Sequence, residues 1–171
     1  PEKAHYLKGV RDDATAQPLA APAVPGGDGA PLLPELVREF GRAARIDMAV
    51  AFVTEPGLRE IESQLIDLLD RGGSLRFLTG DYLDVTEPRA LRRLLDLAEE
   101  YDASANAKPG AALVRVFETA DGLGFHPKAY LIHRAATGAT AFVGSSNLTV
   151  HALRRGLEWN QRLEGSPQRA P

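Results

Sequence analysis

The order of strand-like and helix-like segments constrains the fold of this chain most. In the first hundred residues, apolar β-branched runs at 46–53 and 74–80 alternate with helical patterns at 34–44, 55–73 and 88–103. Strands and helices that alternate in this way predict parallel β-α-β units. The first part of the chain is therefore expected to form a parallel sheet with helices packed against it.

The last sixty residues follow a different pattern. Four strand-like runs, at 112–118, 127–133, 139–145 and 157–164, are joined by short segments, and only 148–155 offers a helical turn. Together the two parts predict an α/β fold with a mixed β-sheet flanked by helices.

Length and local composition predict the domain organisation. The 171 residues are enough for one domain with a real core and too few for two ordinary ones. Ala, Pro and Gly dominate Thr15–Pro34, which predicts little regular structure there. We expect a flexible N-terminal segment with a linker over 1–34, one domain over 35–164 and a linker or tail over 165–171, cut from a longer protein.

Composition excludes several classes of protein. The chain has no cysteine, which excludes disulfides and thiolate metal sites and fits a reducing compartment. No apolar run is long enough to predict a membrane span, so we expect a soluble, cytoplasmic protein with no membrane partner.

Charge is distributed unevenly along the chain. Residues 1–125 carry 14 Lys and Arg against 21 Asp and Glu, whereas 126–171 carry 6 against 2, so a chain of net charge −3 ends in a segment of +4. The overall acidity argues against a polyanion partner, and the basic segment argues for one. The unusual polar residues all lie in or near that segment.

The sequence GFHPKAYLIH places a histidine and a lysine in an apolar run. Strand side chains alternate between faces, so His126 and Lys128 are expected on one face and His133 on the other. Pro127 cannot donate to a strand ladder, so the strand should begin there or lie at an edge. For a lone H-x-K, a strand end whose polar groups reach water is the better explanation.

Two further runs carry polar residues in register. The run AFVGSSNLT places Ser145 and Asn147 on one side, although Ser and Asn after a strand also commonly cap a helix. In GLEWNQRL, a polar set alternates with an apolar one, which an outward polar face would explain without function. The polar set is Glu158, Asn160 and Arg162, and the apolar set is Leu157, Trp159 and Leu163.

These three runs together resemble the phospholipase D superfamily of phosphodiesterases, whose signature is H-x-K followed by G-S-x-N. A single copy with a Glu about eleven residues after the Asn resembles its nuclease branch, and in particular domains found N-terminal to helicase modules in bacterial DNA-processing proteins. The fuller signature has an Asp five residues after the Lys, where this chain has His133. That position faces away from the H-x-K pair and is usually structural, so the proposed chemistry is expected to survive its replacement.

The resemblance implies a role for each residue of the signature. His126 would attack phosphorus and form a phosphohistidine, since neutral imidazole is nucleophilic. Lys128 and Asn147 would hold the phosphate oxygens, with help from Ser145. Glu158 would accept the other ring N–H of a histidine and so orient it. No metal and no cofactor is implied.

The leaving oxygen needs a proton, which requires a second histidine. The chain has one H-x-K, and its other histidines, His5, His133 and His151, lack a neighbouring lysine on the same face. Family members with one copy pair two chains, so the resemblance implies a homodimer that shares one site.

The expected substrate is nucleic acid, with DNA favoured over RNA, and a helicase module is a possible fused partner. Four cations are candidates for holding the phosphate backbone, although ordinary solvated surface would explain them equally. They are Arg134, Arg154, Arg155 and Arg162. Two alternatives stay open: a nucleic-acid-binding module that does not cut, and a phospholipase of the same superfamily.

Overall fold

One β-sheet positions the polar residues singled out above. A computed structural model of the chain describes residues 23–25, 31–81, 85–102, 108–119, 124–136 and 138–165. Within these residues the sheet has seven strands: β1 (Ala23–Pro25), β2 (Arg45–Val50), β3 (Ser74–Gly80), β4 (Ala111–Phe117), β5 (Lys128–Arg134), β6 (Gly138–Gly144) and β7 (Trp159–Gly165).

The strands are arranged in the order β1-β7-β6-β5-β2-β3-β4. The pairs β2–β3 and β3–β4 are parallel, whereas β5 is antiparallel to β2, and β6, β7 and β1 continue the antiparallel pairing. The predicted mixed sheet is therefore confirmed. The run 112–118 forms β4 and joins the parallel part with β2 and β3, whereas the other three of the last four runs form the antiparallel part together with β1.

Helices follow the apolar spacing of the sequence. They are α1 (Leu32–Phe40), α2 (Glu55–Arg59), α3 (Glu62–Asp70), α4 (Pro88–Glu100) and α5 (His151–Arg155), the last a single π turn. The segment 55–73, which the pattern predicts as one helix, forms two, because Ile61 leaves helical geometry at φ −124° and ψ −3°. Thr54 begins α2 by accepting a hydrogen bond from the N–H of Gly57 at 3.2 Å.

The helices share one hydrophobic core with one face of the sheet. That face carries Ile46, Phe77, Tyr130 and Phe142, all buried. Burial of each such side chain contributes about 1.5–3 kcal/mol, so this layer fixes the register of the strands on which the polar residues stand.

Strand β7 reverses one expectation from the sequence. Its predicted alternation is present, but the polar residues Asn160 and Arg162 face the core side, whereas Trp159 and Leu163 are 77% and 41% exposed. An outward polar face therefore does not account for the pattern in this strand.

The Ala/Pro/Gly-rich stretch contains more regular structure than its composition predicts. Strand β1 lies within it and pairs with β7, and α1 begins at Leu32, inside the expected flexible segment. The predictions for 1–22, 26–30 and 166–171, including His5, concern residues outside those that the structure describes. The division into segment, domain and tail stays a prediction.

No helix among the described residues combines the length and the apolarity that a bilayer crossing demands.

Candidate active site

The polar runs converge where the parallel strands end. Val50, the last residue of β2, pairs with Thr79 of β3 on one side and with Lys128, the first residue of β5, on the other. Ligands of open α/β sheets bind outside the carboxyl ends of the parallel strands. Lys128 thus stands at the edge where a binding site is expected.

His126 and Lys128 point together, as the strand alternation predicts. The Lys128 ammonium lies 2.8 Å from Nδ1 and 3.0 Å from Nε2 of the His126 ring, and it also donates to the His126 carbonyl oxygen at 3.0 Å. The ammonium lies within reach of both ring nitrogens, and because it carries donors only, it can donate only to the nitrogen that lacks a proton, which the tautomer determines. His126 is exposed, whereas Lys128 is only 7% exposed.

Burial changes the ionisation of Lys128. Removal of its ammonium from water lowers the pKa of Lys128 below the ordinary lysine value, and the negative charge of Glu158 partly opposes that shift. Lys128 and Glu158 therefore belong to one electrostatic unit, although β6 lies between their strands in the sheet.

Ser145 and Glu158 are joined by a hydrogen bond. The Ser145 hydroxyl donates to the Glu158 carboxylate and accepts from the Trp159 N–H at 3.0 Å, while the Ser145 N–H donates to the Trp159 carbonyl at 2.9 Å. A serine hydroxyl has one proton, and here it is directed to Glu158. The geometry favours Ser145 as a residue that positions Glu158 over one that donates directly to a phosphate.

Asn147 has a fixed orientation. Its Oδ1 accepts a hydrogen bond from the Phe52 N–H at 3.3 Å, and its side chain is buried. A backbone N–H can only donate, so the contact assigns the oxygen to Phe52 and turns the amide nitrogen the other way. Because Phe52 lies two residues beyond Val50, Asn147 stands at the same sheet edge as Lys128.

Four residues that the sequence did not single out as functional hold the turn after β6: Ser146, Asn160, Tyr130 and Gly144. Ser146 is fully buried, with its Oγ accepting from Asn160 Nδ2 at 2.9 Å and its carbonyl accepting from the Tyr130 hydroxyl at 3.1 Å. Gly144 permits the close approach of β7, because a Cβ there would lie 1.9 Å from the Trp159 carbonyl oxygen. The one sequence signal for this role was the alternation around β7, which places Asn160 on the same side as Glu158.

The four candidate backbone-binding arginines differ in their surroundings. Arg134 and Arg162 each pair with the buried Glu39 at 2.9 Å, between α1 and the sheet. Arg154 pairs with Glu60 at 2.6 Å. Arg155 is exposed and has no ion pair with the described part of the chain.

His133 lies on the opposite face of the sheet, as predicted. Its Nε2 is 2.9 Å from the Asp47 carboxylate, which also binds Arg76. Burial opposes ionisation of Asp47, but the hydrogen bond from Arg76 and the charge of Arg45 outweigh it and hold the pKa of Asp47 below its usual value. His133 thus belongs to an ion-pair network that joins β5, β2 and β3.

No group of three His, Asp or Glu side chains in the described ranges is arranged to hold a metal ion. The site assembled above consists instead of a histidine, a buried lysine, an amide and a serine–carboxylate pair.

The chain belongs to the phospholipase D-like family. A family model described as "cardiolipin synthase, PLD-like domain" matches residues 36–169, which is most of the chain. The matched region contains the H-x-K, G-S-x-N and Glu residues described above. No curated protein matches the sequence.

Solved structures support the same fold. The phospholipase D family member Nuc from Salmonella typhimurium superimposes with a TM-score of 0.56 at 15% identity, covering 86% of this chain and 83% of that one. Phosphatidylserine synthase from Haemophilus influenzae gives 0.61 at 17%, covering 85% and 34%. A variant of yeast tyrosyl-DNA phosphodiesterase gives 0.51 at 10%, covering 83% and 31%. The chain spans about a third of the last two proteins.

Proposed function

We propose that this chain is a metal-independent phosphodiesterase that cleaves nucleic acid through a phosphohistidine intermediate on His126. The observation that carries the proposal is the contact between the His126 ring and the buried Lys128 ammonium at 2.8 Å. That contact supports a cation fixed beside the ring, where the oxygens of a bound phosphodiester would lie, and a neutral ring would regain a free nitrogen lone pair once those oxygens accept the ammonium hydrogen bonds.

The proposed reaction has two steps. In the first, a ring nitrogen of His126 forms a bond to phosphorus, the bond from phosphorus to the leaving oxygen breaks, and that oxygen takes a proton from a second histidine. In the second, this histidine takes a proton back from water, the water oxygen bonds to phosphorus, and the P–N bond breaks. Lys128 and the Asn147 Nδ2 group would bind the non-bridging oxygens throughout.

The second histidine would come from a second copy of the chain. The apolar residues on both sides of Glu158 support this part of the proposal, since Leu157 is 89% and Trp159 is 77% exposed. Exposed apolar surface of this kind marks interaction sites, and an isologous contact here would bury it next to the site.

Nucleic acid is the preferred substrate because the site lies in the basic part of the chain. Residues 126–171 carry a net charge of +4, and Arg155 is exposed and could bind phosphate without first leaving an ion pair with a described residue. A role beside a fused helicase and DNA in preference to RNA are parts of the proposal that the sequence resemblance supports. A cytoplasmic location is a further part, which the cysteine-free composition supports.

Lipid phosphodiester chemistry is the second candidate, because the structural superposition includes a phosphatidylserine synthase. A phosphodiester group is common to both substrates, so the residues above serve either reaction. Nucleic-acid and lipid substrates differ in the groups that are attached to the phosphate.

The test is cleavage by the purified chain with excess chelator, using single-stranded DNA, duplex DNA, RNA and vesicles of phosphatidylglycerol. We expect nucleic-acid cleavage that His126→Ala reduces by at least about 1000-fold. His151→Ala is the matched control and should retain activity. Turnover of vesicles alone would favour the lipid reaction, and salt-dependent DNA binding without cleavage would favour a binding module.

A further inference from the structure

Two aromatic rings stack beside the candidate active site. The centroids of Phe117 and Phe125 are 5.0 Å apart, and the ring planes are inclined by 19°. Phe117 is 36% exposed and Phe125 is half-buried, so the pair presents apolar surface to solvent. Neither ring belongs to the hydrophobic core cluster.

Contacts with the ends of β3 and β4 hold the two rings in place. Gly80 ends β3 directly under Phe125, because a Cβ at Gly80 would lie 2.9 Å from Cδ1 of that ring. The Asp81 N–H donates to the Phe117 carbonyl at 3.3 Å, and Asp81 accepts two hydrogen bonds from Thr119 at 2.8 and 2.6 Å. These bonds tie the end of β4 to the end of β3 and support a fixed ring position.

The pair also has a defined position relative to His126. Phe125 directly precedes His126, so their Cα atoms are about 3.8 Å apart. Val116 pairs with Thr79, Thr79 with Val50, and Val50 with Lys128, so the side chains of this row share one face of the sheet. Phe117 follows Val116 and therefore points to the opposite face, and Phe125, which precedes β5, lies on that face because it stacks on Phe117. The rings therefore lie at the carboxyl edge of the parallel strands, on the other face of the sheet from Lys128.

We propose that Phe117 and Phe125 form a stacking platform for a nucleobase of the nucleotide next to the scissile phosphate. The inference rests on the proposed function and adds the form of the substrate. If the phosphate binds at Lys128 and the base stacks on the rings at the other face of the sheet, the nucleic-acid strand must pass around the sheet edge. That base is then unstacked from its neighbouring bases. Aromatic rings bind bases of single strands in this way without reading sequence. The preferred substrate is thus single-stranded nucleic acid.

The variant Phe125→Leu tests the platform, since it removes the aromatic ring and retains apolar volume. We expect kcat/KM for a single-stranded DNA oligonucleotide to fall about 10-fold, with hydrolysis of bis(4-nitrophenyl) phosphate unchanged. Phe117→Leu should show the same split, and Leu95→Ala, at an exposed apolar residue of α4, should change neither rate.

A second measurement changes the substrate. In oligonucleotides with one abasic position moved along the strand, the unmodified chain should lose about 10-fold only when that position adjoins the cleaved bond, and Phe125→Leu should remove this dependence. Equal losses on the oligonucleotide and the small diester, or equal cleavage of all abasic substrates, would overturn the platform and leave the phosphodiesterase standing. Failure of the unmodified chain to hydrolyse either substrate would overturn both.

Discussion

Lys128 holds its ammonium 2.8 Å from the His126 ring while almost all of its own side chain is buried. Burial of a cation costs stability, and the same burial strengthens its interaction with a bound anion. Lys128 is therefore placed where it would serve phosphate binding at the expense of the fold.

Replacement of Lys128 by methionine should separate the contribution of Lys128 to phosphate binding from its effect on stability. Lys128→Met removes the buried charge and retains the length of the side chain, so we expect cleavage to be lost and the midpoint of thermal unfolding to rise. Lys108→Met, at a surface lysine paired with Glu100, serves as the control and should not raise the midpoint. A lower midpoint for Lys128→Met would show that Lys128 contributes to stability.

The stability gain of Lys128→Met should also depend on pH. The native pKa of Lys128 is lowered by burial, so between that value and the unfolded value of about 10.4 the unfolded chain binds more protons than the native one. The free energy of unfolding of the unmodified chain then rises with pH across this window. The difference in the free energy of unfolding between Lys128→Met and the unmodified chain should therefore narrow as pH increases. A difference that widens would contradict a lowered pKa of Lys128 in the native state.

Glu158 and Ser145 should act as one unit. Because the Ser145 hydroxyl donates to the Glu158 carboxylate, we expect Glu158→Gln to lower kcat by about 100-fold or more and Ser145→Ala to lower it less. The double variant should lose no more than Glu158→Gln alone. Strictly additive losses in kcat would mean that Ser145 acts on the substrate independently.

The arginines should separate into structural and substrate-binding groups. Loss of Arg162 leaves the buried Glu39 with one fewer cation, so Arg162→Met should reduce the free energy of unfolding by about 2–3 kcal/mol. Arg155→Ala should leave that free energy unchanged and should weaken DNA binding, with a smaller dependence of affinity on salt concentration. Denaturant titration measures the free energy of unfolding of each variant, and DNA binding at two salt concentrations measures the affinity and its salt dependence. A loss of stability in Arg155→Ala, with none in Arg162→Met, would refute the division.

Trp159 should contribute to a dimer contact. Trp159→Asp places a charge on the exposed apolar surface beside Glu158, so we expect sedimentation to show a monomer and cleavage to fall with it. Leu95→Asp, which introduces the same charge on α4, should change neither. A Trp159→Asp dimer with full activity would exclude this surface as the interface.

The sequence predicted the mixed sheet because its strand runs are apolar, short and bounded by turn residues, and because period-two alternation determines which side chains share a face. The same alternation placed Lys128 beside His126 and His133 on the far side, as the structure confirms. Contacts between distant segments were not predictable. The pairing of Phe117 with Phe125 and of Arg162 with Glu39 depends on strand order, which no local pattern encodes.

The orientation of β7 shows a second limit. Alternation in the sequence gave the two sets of residues correctly, but an ordinary solvated strand would expose the polar one. Here Asn160 faces inward and binds Ser146, which holds the turn that carries Asn147. Tertiary requirements of the candidate site thus override the usual distribution of polar residues on a surface strand.

The most direct test follows the phosphorus atom. The chain is mixed with single-stranded DNA that is radiolabelled at its internal phosphodiester phosphorus atoms, quenched with alkali within milliseconds and digested for peptide mapping. The account predicts a base-stable, acid-labile label on the peptide that contains His126, absent from His126→Ala and present in His151→Ala. Product formation with no label on that peptide at any quench time would contradict the covalent mechanism.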